Sequence, residues 1–326
     1  MGIDLIYRSH SGGKFPPARL FINTPRPPLR GIPPQRPNAM NDKELEQFIK
    51  LRGTPPSDIK LKKKIDAGGV SDIWLATHPS QSQPFIVKYA KSMTQDNLYL
   101  QGQFEREFEA SQVLIKRHAE SCTTIVVDCD TDVFNHPYLF VEYFKAKPLD
   151  LLMPQFLDWP SMKFLLEKII HIIHQIHAAG IIHRDIKPAN IIINTQNEVR
   201  IIDFALAAID GNWHPYHTEG LAIGTPLYMS PEQAYGKKSL LTPASDWYAL
   251  GVTLYEWISG VVPFHGKTPV ETIRMHCFNE VPAIMNNRIK NAPPELNQIV
   301  LQLLSKKASQ RLDAIEQLKF IVFDCS

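Results

Sequence analysis

A stretch of eight residues, 183–190, constrains the fold and chemistry of this chain more than any other part of its sequence. It carries Asp185, Lys187 and Asn190, and it lies between a strongly apolar helical segment and a short apolar hairpin. In phosphoryl transfer a carboxylate can orient or deprotonate a hydroxyl, an ammonium can neutralise a phosphate, and an amide can hold a metal ion. Asp203, which follows the hairpin, adds a hard oxygen ligand suited to Mg²⁺. A charged loop that only caps a helix would not need this combination, so the stretch predicts a phosphoryl-transfer site.

The order of residue types in the stretch, His-Arg-Asp-Ile-Lys-Pro-Ala-Asn, resembles the catalytic loop of protein kinases. The segment that begins at Asp203 resembles the metal-binding segment of the same family. The resemblance implies that Asp185 aligns the acceptor hydroxyl and that Lys187 stabilises the transferred phosphoryl group. It also implies that Asn190 and Asp203 hold Mg²⁺, or Mn²⁺ in its place, beside the triphosphate of ATP.

Residues upstream of this loop resemble the nucleotide-binding part of the family. Gly68 and Gly69 lie between two strand-like runs, where small residues let backbone N–H groups approach phosphates closely. Lys88 ends a short apolar strand and resembles the lysine that contacts the α- and β-phosphates. We expect Glu107, with Glu109 as the alternative, to pair with this lysine.

The choice between the two glutamates depends on helical spacing. They lie in a predicted helix at 104–118, and Ala110 follows Glu107 at the spacing that marks the inward face.

Beyond this helix, the segment after Val141 resembles the kinase hinge, whose backbone binds adenine. The resemblance therefore implies a nucleotide-binding set made of Ile65, Gly68, Gly69, Ile73, Lys88, Glu107, Glu142 and Phe144.

Four residues depart from the pattern of the family. Asp66 and Ser71 stand where the phosphate-binding turn has glycines, Ile86 replaces a small residue of the adenine pocket, and Ala205 replaces the glycine of the metal-binding segment. These departures leave a pseudokinase, which would bind partners without catalysis, as the alternative function. A small-molecule kinase on a related fold is a third hypothesis. Segment 224–233 argues against it, because it resembles a platform for protein substrates.

The region before this platform, 206–223, resembles an activation loop. Thr218 is its best phosphoacceptor, and Arg184 could receive the phosphate through bidentate hydrogen bonds. Thr225, together with Lys187, matches the family's pattern for serine or threonine as the acceptor. The sequence therefore favours a kinase that phosphorylates serine or threonine and is itself regulated by phosphorylation.

The resemblance covers about residues 58–320 and implies an α+β, two-lobed protein-kinase fold. A small antiparallel-sheet N-lobe with the hinge is expected at 58–144, and a mainly helical C-lobe at 145–326. Within the C-lobe, Glu232 is expected to pair with Arg311, and Asp246 to lie in the helix that anchors the catalytic loop. The residue types Gly-Gly-x-Ser and Met-Ser-Pro-Glu-Gln are most similar to bacterial members of the family.

Residues 1–39 differ from the rest of the chain. They contain eight of the 26 prolines, and six of their seven charges are basic. Such a segment buries too little apolar area to offset its ordering entropy, so we expect a disordered tail, followed by a short helix and linker at 40–57. The tail is either a docking peptide for an SH3-type or anionic partner or an inert extension.

Composition narrows the class of protein further. The net charge of +2 produces no field that calls for nucleic acid or a membrane surface as a partner. The four cysteines form no C-x-x-C pair, and no apolar run approaches 18 residues. The first residues lack the pattern of a secretory signal. The sequence predicts a cytoplasmic protein with protein substrates, and it leaves export to a host cell open.

Overall fold

The computed structural model describes residues 59–67, 71–79, 83–90, 97–131, 137–209, 224–236 and 238–323. Its first part contains β1 (Lys60–Ala67), β2 (Ser71–Thr77), β3 (Phe85–Ala90), helix α1 (Asn97–Lys116), β4 (Val126–Thr131) and β5 (Pro137–Glu142). The strands form an antiparallel five-stranded sheet in the order β1-β2-β3-β5-β4, and the helix packs against it. This sheet and its helix form the small lobe.

Strand β5 holds the small lobe together because both of its faces are buried. Tyr138 and Phe140 pack on one side of the sheet against Phe85 of β3. Leu139 and Val141 pack on the other side with Phe104 of helix α1. Side chains alternate along a strand, so one strand can supply two cores.

Helix α1 begins at Asn97, seven residues before the start predicted from the sequence. Its first two turns contain Gly102 and two glutamines, which show no apolar periodicity. One of these glutamines, Gln101, donates to the carboxylate of Glu105 at 2.9 Å, one turn along the helix. The predicted helix was therefore too short, because the sequence signal began only where the helix meets the sheet.

The large lobe is mainly helical. It contains β6 (Ala146–Pro148), α2 (Leu149–Leu152), α3 (Trp159–Ala178), β7 (Ile181–Ile182), β8 (Ile191–Asn194), β9 (Val199–Ile201), β10 (Ala208–Ile209), α4 (Pro231–Ala234), α5 (Ala244–Ser259), α6 (Pro269–Phe278), α7 (Leu296–Leu303) and α8 (Ala308–Phe323). Strands β6, β8 and β9 form one small sheet, and β7 pairs with β10. The predicted α+β fold with two lobes is confirmed. None of the helices in the described part of the chain is long and apolar enough to cross a membrane.

Helices α3 and α5 form the centre of the large lobe. Asp158 caps α3 by accepting a hydrogen bond from the backbone N–H of Ser161 at 3.1 Å. Helix α5 is buried at every residue from Ala244 to Tyr255, and Gly251 lets it approach α7 closely. A Cβ at this glycine would lie 2.8 Å from the Cβ of Leu303. The two helices therefore give the catalytic loop a rigid base.

His276 in helix α6 makes the stability of this lobe depend on pH. The ring is fully buried, and Nδ1 lies 2.9 Å from the Tyr248 hydroxyl. Burial and the nearby charge of Lys306 lower the pKa of His276 from 6.5 to about 4. In that window the unfolded chain binds a proton here and the folded chain does not. This histidine therefore makes the free energy of unfolding fall as pH drops from 6.5 to 4, by at most about 1.4 kcal/mol per pH unit.

Chemical denaturation at several pH values would check this prediction. His276→Gln removes the titrating group and is expected to reduce the slope of stability against pH between 6.5 and 4. His265→Gln changes an exposed histidine of the same lobe and should leave the slope as in the wild type. An unchanged slope in His276→Gln would contradict the assignment.

Candidate active site

Asp246, in the first turn of helix α5, holds the backbone of the catalytic loop. One carboxylate oxygen accepts hydrogen bonds from the N–H of His183 at 2.9 Å and from the ring of His177 at 2.8 Å. The other oxygen accepts from the N–H of Arg184 at 2.8 Å. Burial alone would raise the pKa of Asp246, but the His177 hydrogen bond and neighbouring charges outweigh it, so the pKa lies below its ordinary value. A buried, ionised carboxylate thus ties the loop to the core.

Arg184 has a positive φ of 69°, a backbone conformation that residues other than glycine rarely adopt. The side-chain amide of Gln233 donates to its carbonyl oxygen at 2.7 Å, and this hydrogen bond helps to hold the unusual conformation. Arg184 immediately precedes Asp185 in the loop. The strained backbone is therefore part of how the loop presents its carboxylate.

Asp185 lies at the centre of a hydrogen-bonded group formed with Lys187, Asn190 and Thr225. Its Oδ1 accepts from the Thr225 hydroxyl at 2.7 Å and from the Thr225 N–H at 3.0 Å. Its Oδ2 accepts from the Lys187 ammonium at 2.6 Å and from the Asn190 amide at 3.0 Å. Lys187 also donates to the Thr225 hydroxyl at 2.7 Å. A carboxylate, an ammonium and a hydroxyl from two distant segments therefore meet at one point.

Lys88 joins the two lobes on the other side of the site. Its ammonium lies 2.6 Å from Glu107 of helix α1 and 2.9 Å from Asp203 of the large lobe. Burial would lower the pKa of Lys88, but the charges of Asp203 and Glu107 outweigh it and raise the pKa. Burial also acts on Asp203, and the ammonium of Lys88 overcomes it and lowers the pKa of this carboxylate. The lysine is therefore charged and the aspartate ionised at neutral pH.

The segment around Asp203 is held by the catalytic loop. The ring of His183 bonds to the carbonyl oxygen of Ile202 at 3.1 Å and packs against Phe204, with ring centroids 4.5 Å apart. Asp203 itself has a φ of 70°. Since a buried ring supports this conformation, the orientation of the Asp203 carboxylate depends on the loop beside it.

The remaining predicted nucleotide contacts are distributed over the small lobe and the segment after it. Ile65 is exposed on β1, and Ile73 of β2 is paired with Lys88. Glu142 ends β5, and Phe144 lies in the segment that joins the lobes. Gly68 and Gly69 lie outside the described residues, as does Thr218. The roles of these residues in nucleotide binding and regulation remain predictions from the sequence.

A family model described as the protein kinase domain matches residues 59–322. The chain belongs to the protein kinase family. The relatives described here are bacterial proteins, in agreement with the similarity to bacterial members predicted from the sequence. A protein named "Serine/threonine-protein kinases drp72" from Corynebacterium efficiens is 31% identical over 269 residues, which cover 81% of this chain and 50% of that protein.

Two further relatives of the kinase come from other bacteria. "Serine/threonine-protein kinase AfsK" of Streptomyces griseus is 35% identical over 214 residues, or 65% of this chain and 25% of that protein. "Serine/threonine-protein kinase PknA" of Mycobacterium tuberculosis is 30% identical over 276 residues, or 77% of this chain and 57% of that protein. The chain thus spans between a quarter and somewhat more than half of the length of these relatives.

Departures from the kinase pattern are accommodated without loss of the charged groups. Ser71 is buried in β2, and Ile86 is partly buried in β3. Ala205 lies in a turn and is not among the described residues with positive φ, so an alanine fits there without strain. The side chain of Asp66 lies outside the described part of the structure. The contacts of Lys88 with Glu107 and Asp203, and of Asp185 with Lys187, are present beside these departures.

Sequence reasoning did not assign a role to Gln233 of the kinase. A signal for it was present, because Ser230 and Gln233 have the spacing of a capping box. The structure contains this capping box at the start of helix α4. The same glutamine also reaches the carbonyl oxygen of Arg184, a contact between residues 49 positions apart that no local pattern predicts.

Proposed function

We propose that this chain is a serine/threonine protein kinase that transfers the γ-phosphoryl group of ATP to protein hydroxyls, including its own. The observation that carries the proposal is the direct contact of Asp185 with both Lys187 and Thr225. The proposal is supported because a carboxylate and an ammonium, suited to accept a proton and to neutralise a phosphate, both contact the hydroxyl of Thr225, in the segment that resembles a platform for protein substrates. The names of the relatives support serine or threonine as the acceptor.

ATP and Mg²⁺, with Mn²⁺ as the alternative, fit the residues present. Lys88 offers an ammonium for the α- and β-phosphates, and Glu107 and Asp203 hold it in place. Asn190 uses its amide nitrogen on Asp185, which directs its amide oxygen elsewhere, and Asp203 offers an ionised carboxylate. Oxygen atoms of this kind are what Mg²⁺ prefers, and the bound cation would offset charge on the triphosphate.

In the reaction, the acceptor oxygen forms a bond to the γ-phosphorus while the bond from that phosphorus to the β,γ-bridging oxygen breaks. Asp185 aligns the acceptor hydroxyl and receives its proton, and ADP leaves. Lys187 stabilises the charge of the phosphoryl group during transfer. Because the transition state is loose, positioning and electrostatics supply most of the rate gain.

A pseudokinase that binds partners without catalysis would not need the Asp185 cluster, and no contact in the described residues favours it. The lobe boundaries remain predictions. So does the docking of a partner to residues 1–39, which lie outside the described part of the chain.

Transfer of labelled γ-phosphate from Mg²⁺-ATP to the chain itself and to a generic basic protein tests the proposal. We expect label on serine or threonine. Mg²⁺-ATP should also raise the melting temperature, because a ligand that binds only the folded state stabilises it. A wild-type chain that neither binds Mg²⁺-ATP nor transfers label would refute the kinase function. Stabilisation by Mg²⁺-ATP without transfer would favour the pseudokinase.

We propose further that phosphorylation of Thr218 switches the kinase on through Arg184. Burial lowers the pKa of this guanidinium, and among the described residues its Nε has no hydrogen-bond partner. A phosphate could bond to it and anchor the activation loop. Thr218→Ala is therefore expected to lower activity toward the basic protein about tenfold, the effect of losing about 1.4 kcal/mol.

Initial rates on the basic protein would measure this effect. Thr242→Ala, at an exposed threonine outside the activation loop, is the control and should keep wild-type activity. Wild-type kinase treated with a phosphatase should behave like Thr218→Ala. Equal rates for all of these proteins would rule out Thr218 as the switch.

A further inference from the structure

Arg200 of strand β9 contacts the segment that joins the lobes at two points. Its guanidinium Nη1 lies 2.6 Å from the carboxylate of Glu142, and its Cζ lies 4.1 Å from the ring centroid of Phe144. The ion pair is well shielded from water, because the two side chains are 14% and 18% exposed. One residue of the large lobe therefore fixes both residues predicted to present backbone to the adenine ring.

Glu142 extends this contact to the start of β4. Its backbone N–H donates to the carbonyl oxygen of Ile125 at 2.9 Å, and its carboxylate accepts from the Ile125 N–H at 3.3 Å. The loop before Ile125 is in turn attached to helix α3, where the Cys122 thiol lies 2.8 Å from the Gln175 side chain. Glu142 is therefore held both by Arg200 of the large lobe and by the start of β4 in the small lobe, whose preceding loop is itself bonded to helix α3.

We propose that Arg200 is a positioning residue for the nucleotide, which sets the affinity for ATP by holding the lobe-joining segment in its binding conformation. This inference rests on the proposed kinase function. Arg200 contacts the segment that joins the lobes, where the adenine ring is expected to bind, whereas Lys88 and Asp203 lie where the phosphates are expected. When the segment that joins the lobes has its binding conformation in only a fraction of molecules, the apparent dissociation constant for ATP rises by the inverse of that fraction. Loss of Arg200 should thus weaken ATP binding and leave the chemical step nearly unchanged.

The sign of the effect follows from the state in which the contacts occur. The Arg200–Glu142 pair is present together with the Lys88–Glu107 and Lys88–Asp203 contacts. The Arg200–Glu142 contact is therefore present in the same conformation as the Lys88 contacts that suit phosphoryl transfer. A restraint that held the kinase in an unproductive arrangement would have the opposite effect, because its removal would raise activity.

The test compares Arg200→Ala with Lys168→Ala. Lys168 is the control, because it too lies over an aromatic ring, Phe164, at 4.3 Å and makes a hydrogen bond, in its case to the backbone carbonyl of Asn197 at 2.7 Å. Among the described residues, its hydrogen bond and ring contact involve neither the segment that joins the lobes nor the proposed active site. We expect the KM for ATP and the dissociation constant of a non-hydrolysable ATP analogue to rise about tenfold in Arg200→Ala, or about 1.4 kcal/mol. The kcat at saturating ATP should change less than about twofold, and Lys168→Ala should match the wild type.

Two further variants define the contact. Arg200→Lys keeps the charge near Glu142 but loses the planar stack on Phe144, so a rise of about threefold in the ATP dissociation constant is expected. In Glu142→Ala, adding Arg200→Ala should raise the constant by less than it does in the wild-type background, because the ion pair is already lost and only the stack on Phe144 remains to be removed. If Arg200→Ala does not fold, judged by its melting curve, Arg200→Lys decides the question against the same control.

The possible outcomes separate the inference from the kinase function. A wild-type chain that fails to bind the ATP analogue refutes the proposed function. A wild-type chain that binds it, with Arg200→Ala and Arg200→Lys both at the wild-type affinity, overturns the role of Arg200 alone. Higher activity in Arg200→Ala, or a fall in kcat with unchanged affinity, would also overturn it.

Discussion

Replacing Asp185 by asparagine is expected to lower kcat about a hundredfold or more, a loss of about 3 kcal/mol of transition-state stabilisation. The carboxylate accepts four hydrogen bonds, two from Thr225, one from Lys187 and one from Asn190. Asparagine has one acceptor oxygen, so its NH₂ group must face two of these donors. The variant also lacks the group that receives the proton of the acceptor hydroxyl. Both the geometry and the chemistry of the step are lost together.

Single-turnover transfer from labelled ATP, with the melting temperature measured beside it, would check this prediction. Asp158→Asn is the matched control, because asparagine caps a helix as well as aspartate does and Asp158 lies outside the proposed site. That variant should keep activity within about twofold, as expected for a change with little effect on helix capping. Stabilisation by Mg²⁺-ATP should persist in Asp185→Asn, since Lys88 and Asp203 are untouched. Near wild-type transfer in Asp185→Asn would mean that another group is the proton acceptor.

Arg311→Ala is expected to lower the free energy of unfolding by about 3–5 kcal/mol. Arg311 is fully buried in helix α8, and its Nη2 lies 2.6 Å from the carboxylate of Glu232. The same carboxylate accepts from the Ser245 hydroxyl at 2.7 Å, and it is only 8% exposed. Without the guanidinium of Arg311, the buried Glu232 carboxylate keeps its negative charge and, of these two donors, retains only the neutral Ser245 hydroxyl. Because Glu232 lies in the segment that carries Thr225, activity should fall with stability.

Urea denaturation of four proteins would establish the energy of this pair. Lys319→Ala removes an ion pair of similar length, 2.7 Å to Glu316, from the exposed face of the same helix. It should cost no more than about 1 kcal/mol, as surface pairs do. The double variant Arg311→Met/Glu232→Leu should recover much of the loss, because no unpaired charge remains. A cost for Arg311→Ala as small as that of Lys319→Ala would contradict the prediction.

The two largest predictions concern residues that the sequence brought forward for different reasons. Asp185, Lys187 and Asn190 lie within six positions, so short-range geometry alone keeps them together. Glu232 and Arg311 are 79 positions apart, and their pairing was expected only because the chain resembles a known family. The structure places the two groups in contact, and it shows that the pair is buried, which is the property that sets its energy.

Other contacts had no signal in the sequence. Arg200 is one polar residue in an apolar strand, and nothing near it predicts that it lies on Phe144 or binds Glu142. Gln233 has a local capping pattern, but its bond to the Arg184 carbonyl depends on how helix α4 lies against the catalytic loop. The start of helix α1 was also missed, since its first residues are polar and carry no periodicity.

The sequence by itself therefore determined the fold class, the order of the lobes and the identity of the charged residues expected to act on ATP. It could do so because its short motifs resemble those of a known family, whereas apolar periodicity by itself reports only on neighbours a few residues away. Only the tertiary structure decided which glutamate pairs with Lys88, how Thr225 reaches Asp185, and which residue holds the segment that joins the lobes. These contacts join residues between 19 and 58 positions apart, and their geometry depends on how the lobes and helices pack as whole bodies.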